Sequence, residues 1–155
     1  VSKVEPGYAG GKIENPSYEN VSSGATGHAE VIRVTYDPAI ISYEDLLTVF
    51  FGSHDPTTPN RQGADVGEQY RSVIFYGDEE EKATAEKIIA EINASLKDGT
   101  RVVTQLIQFI TFYVAESYHQ NYYKTNTSAP YCQLVIEPKI EKVKKRFAEL
   151  VKQDA

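Results

Sequence analysis

The chain has no methionine and no tryptophan, and only one cysteine among its 155 residues. Without a methionine, Val1 is not a translation start, and a segment upstream of it is expected. A single thiol excludes an internal disulfide framework. No apolar run approaches the roughly 18 residues that a membrane-crossing helix needs, and no charged-then-apolar leader opens the chain. An excess of basic charge is missing too: 16 Lys and Arg stand against 22 Asp and Glu, a formal net charge of -6. That balance argues against nucleic acid, whose binding draws on clustered cations. Low-complexity bias is also missing, and 41% hydrophobic with 25% charged residues suits an ordinary packed core. These features indicate one soluble domain spanning residues 1–155, placed in the cytoplasm by low cysteine content.

The stretch from Val1 to Asn20 is rich in Gly, Pro, Asn and Ser and shows no period, so it reads as a long loop. Strict alternation from Glu30 to Tyr36 predicts a strand. Ser42 and Asp45 suggest an N-terminal cap, and Tyr43, Leu46, Leu47 and Phe50 supply the inward stripe of a helix. A polar loop from His54 to Gly67 leads to a second strand, Arg71 to Tyr76. Asp78 and three glutamates open the next helix, whose stripe is Ala85, Ile88, Ile89, Ile92 and Leu96. Arg101 to Phe109 reads as a third strand, Glu116 to Lys124 as a short helix, and Pro138 begins a last one. The mixture lacks regular βαβ spacing. It predicts an α+β fold: a two-layer sandwich with a mixed, mainly antiparallel central sheet flanked by helices, with long loops around the site.

Glu30 is the most informative single residue. It shares a strand face with Ile32, Val34 and Tyr36, and a carboxyl facing an apolar layer is desolvated, which raises its pKa and suits it to deliver a proton. The bland alternative is that it opens the strand and turns to solvent. Asp65 and Tyr70 lie in Arg61-Gln62-Gly63-Ala64-Asp65-Val66-Gly67-Glu68-Gln69-Tyr70-Arg71, a loop dense in donors and acceptors, although Asp between glycines is also ordinary turn chemistry. Eleven tyrosines, five of them between Tyr113 and Tyr131, offer flat walls with polar tips; a half-buried core surface accounts for most. Glu116 and His119 form one i, i+3 pair where a di-iron bundle needs two, and His28 with Glu30 or His54 with Asp55 completes no ligand spacing. No metal is expected. Cys132 proves little by itself, since free cysteines are usually inert. The basic C-terminal run, interspersed with Glu, reads as a solvated helix face.

Several motifs in order resemble the peptide methionine sulfoxide reductase A family. They are Gly7-Tyr8-Ala9-Gly10-Gly11, Asn15-Pro16-Ser17-Tyr18, Gly24-Ala25-Thr26-Gly27-His28-Ala29-Glu30, His54-Asp55-Pro56-Thr57, Gln69-Tyr70-Arg71-Ser72 and Ala115-Glu116-Ser117-Tyr118-His119-Gln120, with the Arg61–Gly67 loop between them. The resemblance implies thiol-dependent reduction of methionine S-sulfoxide, free or in proteins, as repair of oxidative damage. By that resemblance Glu30 is the proton donor, Tyr18 and Tyr70 bind the sulfoxide oxygen, and Asp65 stands beside them. Tyr8, Gly10, Gly11 and His28 fall to the substrate pocket, and Cys132 to a resolving thiol that forms a disulfide reducible by thioredoxin. Ser22 stands where many members have Cys, and the second recycling Cys of some members is absent. No bound cofactor is implied beyond an external thiol reductant.

The family's nucleophilic Cys belongs to a Gly-Cys-Phe-Trp motif that does not occur here. A lost upstream segment is favoured over a degenerate, non-catalytic sulfoxide-binding module, because the set Tyr18, Glu30, Asp65 and Tyr70 is intact. A third reading makes Cys132 itself the nucleophile, with His119 as base.

Overall fold

The computed structural model describes residues 1–23 and 26–115. Cys132, the Glu116–His119 pair and the expected last two helices lie outside the described residues. Among the described residues, seven strands, three α-helices and one 3-10 turn run in the order β1 (Lys3–Ala9), α1 (Tyr18–Ser22), β2 (Ala29–Thr35), α2 (Tyr43–Ser53), β3 (Arg61–Gln62), β4 (Asp65–Val66), the 3-10 turn (Glu68–Tyr70), β5 (Val73–Tyr76), α3 (Glu79–Ser95), β6 (Gln105–Gln108) and β7 (Phe112–Val114).

The class is α+β, with antiparallel pairing predominating, and the described strands form three separate small sheets. β1 is central in the first, antiparallel to β2 on one side and β7 on the other. β3 and β4 make a hairpin across Gly63-Ala64, and β5 and β6 pair in parallel. The helix α3 supplies the crossover between those parallel strands, so one βαβ unit stands within a fold that lacks regular βαβ spacing.

Both long helices start as their caps dictate. Ser42 accepts from the Asp45 amide at 3.0 Å and Asp78 from the Glu81 amide at 2.8 Å, each satisfying a donor that the first turn leaves open. Their apolar stripes meet β5, and Leu47, Phe51, Ile74, Ala85 and Ile88 form the main core. The expected inward residues Tyr43, Phe50, Ile89 and Ile92 flank it. A smaller core of Tyr8, Val21 and Ala115 joins β1, α1 and the end of β7.

The segment Val1 to Asn20 is not one long loop, since it holds β1 and the start of α1. Pro6 and Gly7 disguise β1 in the sequence, and its seven-residue register with β2 is what holds it extended. Glu5, with a side chain only 12% exposed, is held on that sheet by Arg33 at 3.1 Å and Lys3 at 3.3 Å. Arg33 also stacks over the Phe112 ring, 4.5 Å from its centroid. The expected strand Arg71 to Tyr76 begins two residues later, at Val73, and the one from Arg101 to Phe109 shortens to Gln105–Gln108.

Candidate active site

β2 delivers Glu30 opposite Tyr8, and Tyr8 in turn lies opposite Tyr113 on β7, which puts the three on one face of the sheet. The alternation read from the sequence is therefore real, but the face is not a buried apolar layer: Ile32 is 62% exposed. Glu30 retains exposure as well. What crowds it is the 3-10 turn, which packs on β2. Desolvation by the surrounding protein raises the Glu30 carboxyl above its ordinary range, and the nearby Asp65 charge raises it further. Neither Glu30 nor Asp65 has a hydrogen-bonding or cationic partner among the described residues.

The Gly63-Ala64 turn of the hairpin brings Asp65 back opposite Gln62, and Gly67 leads directly into the turn that ends at Tyr70. The Tyr70 phenol is raised chiefly by desolvation, then by Glu30, Asp65 and Tyr18, while a hydrogen bond from the Gln69 side chain opposes this. Four side chains from four segments thus share one electrostatic neighbourhood. Tyr18 enters from the first position of α1. Ser17 caps that helix reciprocally, its hydroxyl accepting from the Asn20 amide at 3.1 Å while its own amide donates to Asn20 Oδ1 at 3.2 Å. Fully buried Val21 anchors the helix from below.

The other four expected pocket residues serve this arrangement in a different way. His28 is 2% exposed, and both of its ring nitrogens are engaged. The Gly11 amide donates to Nδ1 at 2.9 Å, which leaves the proton on Nε2 to be donated to the Ile13 carbonyl at 2.6 Å. The ring is therefore a strut under the Gly10–Ile13 loop, with no nitrogen left for a ligand. Tyr8, at 3% exposure, belongs to the small core. Gly11 is required for close approach, since a Cβ there would stand 2.5 Å from the His28 nitrogen and closer still to the Thr26 carbonyl oxygen. Gly10, at φ +87°, turns the chain over the Phe75 ring and the Arg71 guanidinium.

Two features escaped the sequence reading. Arg71, immediately after Tyr70, has a nearly buried side chain whose donors reach three segments. His54 donates from Nδ1 to the Phe50 carbonyl at 2.6 Å and accepts from the Ser72 hydroxyl at 2.8 Å, with Thr104 2.7 Å beyond. Both residues stood inside motifs noted above, Arg71 just before β5 and His54 at the end of α2. Among the described residues, no group of three or more His, Cys, Asp or Glu side chains is placed to hold a metal.

A sequence model of the peptide methionine sulfoxide reductase family matches residues 1–151. The chain belongs to this family. It is 52% identical over 149 residues to the peptide methionine sulfoxide reductase MsrA of Sulfolobus acidocaldarius, covering 96% of this chain and 84% of the relative. It is 51% identical over 152 residues to that of Saccharolobus solfataricus, covering 98% and 85%. Among solved structures, reduced Mxr1 of Saccharomyces cerevisiae superposes with a TM-score of 0.77 at 36% identity, over 83% of this chain and 74% of that one. Methionine sulfoxide reductase A of Corynebacterium diphtheriae follows at 0.73 and 30%, over 83% and 66%. The reductase family assigns the chain to the oxidoreductases acting on methionine sulfoxide. Among its described residues no helix is long and apolar enough to cross a membrane.

Proposed function

We propose that this chain supplies the oxygen-binding, proton-donating half of a thiol-dependent reduction of methionine S-sulfoxide in peptides or proteins. The observation that carries the reading is the meeting of Glu30, Asp65, Tyr18 and Tyr70, with a raised Glu30 carboxyl at its centre.

A sulfoxide oxygen is a strong acceptor, and thiolate attack on sulfur increases the negative charge on it. Donors fixed at that oxygen stabilise the transition state more than the ground state. The Tyr18 and Tyr70 phenols fill that role, and protonated Glu30 gives its proton to the oxygen as the sulfur–oxygen bond breaks. Desolvation, and after it the nearby Asp65 charge, raise the Glu30 carboxyl and so favour its acid form. His28 and Gly11 hold the loop before Tyr18 in place.

In the balanced reaction one thiol takes the oxygen and becomes a sulfenic acid, while the methionine sulfur gains two electrons and is released as the thioether. A second thiol attacks the sulfenic sulfur, expels water and closes a disulfide, which an external dithiol of thioredoxin type reduces. Cys132 is the candidate for that second thiol. The first thiol is that of the family's Gly-Cys-Phe-Trp motif, which does not occur in these 155 residues, and the external dithiol supplies the electrons. Low cysteine content suits a reducing compartment, the cytoplasm.

The test is turnover of separated S- and R-methionine sulfoxides, free and in a peptide, by the protein with its complete native sequence and a thioredoxin-type dithiol. Release of methionine from the S epimer, with one disulfide formed per turnover, is expected. Sulfoxide binding without any methionine release would instead establish a non-catalytic binding module.

A further inference from the structure

Arg71 takes no part in the chemistry above, yet it is the most constrained cation among the described residues. Its side chain is 8% exposed. Nε donates to Gln105 Oε1 at 3.2 Å, one terminal nitrogen to the Glu68 carbonyl at 3.0 Å, and the other to the Gly27 carbonyl at 3.1 Å. Among the described residues, the carboxylate paired with it is that of Glu68, at 3.9 Å and 54% exposed, too long and too wet to offset the lost hydration. Desolvation accordingly lowers the Arg71 pKa, with Glu68 opposing. A cation held this way is unfavourable unless its geometry achieves something that a neutral side chain would not.

The three acceptors show what that is. Gly27 lies three residues before Glu30, Glu68 opens the turn that ends at Tyr70, and Gln105 opens β6. The loop carrying Gly10 lies against the same group, since a Cβ at Gly10 would sit 3.2 Å from a terminal nitrogen of Arg71 and 2.7 Å from the Phe75 ring. A planar guanidinium presents five donors at fixed angles and can bind three divergent oxygens at once; an ammonium on a flexible stem cannot hold them in one plane. We propose that Arg71 is a positioning residue that fixes the Tyr70 turn against the strand carrying Glu30, setting the phenol-to-acid separation across which the sulfoxide oxygen is gripped. The proposal rests on the roles assigned to Tyr70 and Glu30 above.

The test compares Arg71→Lys with wild type and Glu30→Gln, all in the protein with its complete native sequence and with rates normalised to titrated active thiol. Arg71→Lys keeps the charge and loses the fork. It is expected to lower kcat by about 10- to 100-fold, as a misplacement of about 1 Å does, with a smaller change in KM. The alkaline limb of its pH–rate profile is expected to move to lower pH, because a loosened Tyr70 turn would desolvate Glu30 less, with Asp65 left as the charge that faces it. A purely structural role would lower the melting temperature and the active fraction, leaving kcat per active site and the limb as in wild type. Should Arg71→Lys fail to fold, Gln105→Ala removes one acceptor at an exposed position and carries the same test with a smaller, several-fold fall in kcat. Wild-type kcat and limb in the folded variant, alongside a crippled Glu30→Gln, would overturn the clamp alone. Wild-type activity in Glu30→Gln would overturn the acid role and the clamp's purpose together.

Discussion

Replacing Gly11 by Ala adds a single methyl at a tight backbone junction beneath the site. Its Cβ would stand 2.5 Å from the His28 nitrogen, 2.6 Å from His28 Cγ, and closer still to the Thr26 carbonyl oxygen. Two of those atoms are backbone, so no side chain can rotate away. Restoring ordinary contact requires a shift of about 1 Å. A displacement of that size breaks the Gly11 amide's bond to His28 Nδ1 and threatens the Lys12 amide's bond to the Thr26 carbonyl, at 2.9 and 3.1 Å. A buried imidazole nitrogen left without its donor costs about 1–3 kcal/mol, and overpacking adds about as much. The expected loss is about 2–6 kcal/mol, against roughly 5–15 kcal/mol for a whole domain. Thermal unfolding at about 2–4 °C per kcal/mol then falls by about 4–24 °C. Gly77→Ala is the control, since its nearest obstacle is Glu81 Oε1 at 3.5 Å, and a shift below about 2 °C is expected there. If Gly11→Ala melts within 2 °C of wild type and turns over normally, the reasoning that joins this junction to the site is wrong.

Asp65→Asn removes the second cause of the raised Glu30 carboxyl while keeping a similar shape. Glu30 then ionises at lower pH, so the acid form is lost earlier and the alkaline limb of kcat/KM moves downward; an upward or absent shift in a pH–rate series refutes this. Ser17→Ala deletes the reciprocal cap of α1 and is expected to cost about 1 kcal/mol in urea titration. Because Tyr18 is the first residue of that helix, KM for the sulfoxide should rise as well, and an unchanged KM would separate Tyr18 from the cap.

How much of this was readable beforehand depended on whether the signal was local. α2 and α3 were legible because cap and apolar stripe lie within a few turns, and both act through neighbours in sequence. β2 was legible from alternation, apart from Tyr36, which falls beyond its end. β1 was not, because Pro6 and Gly7 oppose strand formation locally while pairing with residues about 25 and about 105 positions away imposes it. α1 was hidden by its five-residue length and by Asn20 in place of the usual Glu or Gln of a capping box. At the site, alternation placed Glu30 on the correct face, but its environment came from the 3-10 turn and from Asp65 rather than from Ile32. Arg71 was passed over because its three acceptors are separated by 3, 34 and 44 positions and none is a carboxylate. His28 looked like a pocket wall because sequence does not say which of its nitrogens a backbone amide will occupy.

The central claim is that Glu30, its carboxyl raised by desolvation and by Asp65, donates a proton to the sulfoxide oxygen. Its most direct measurement is the pH dependence of single-turnover methionine release from the S-sulfoxide, for wild type and Glu30→Gln at complete native length. An alkaline limb above the ordinary glutamate range in wild type, lost in Glu30→Gln together with about 10²- to 10⁴-fold in rate, is the predicted result. Superimposable profiles of equal amplitude would contradict it.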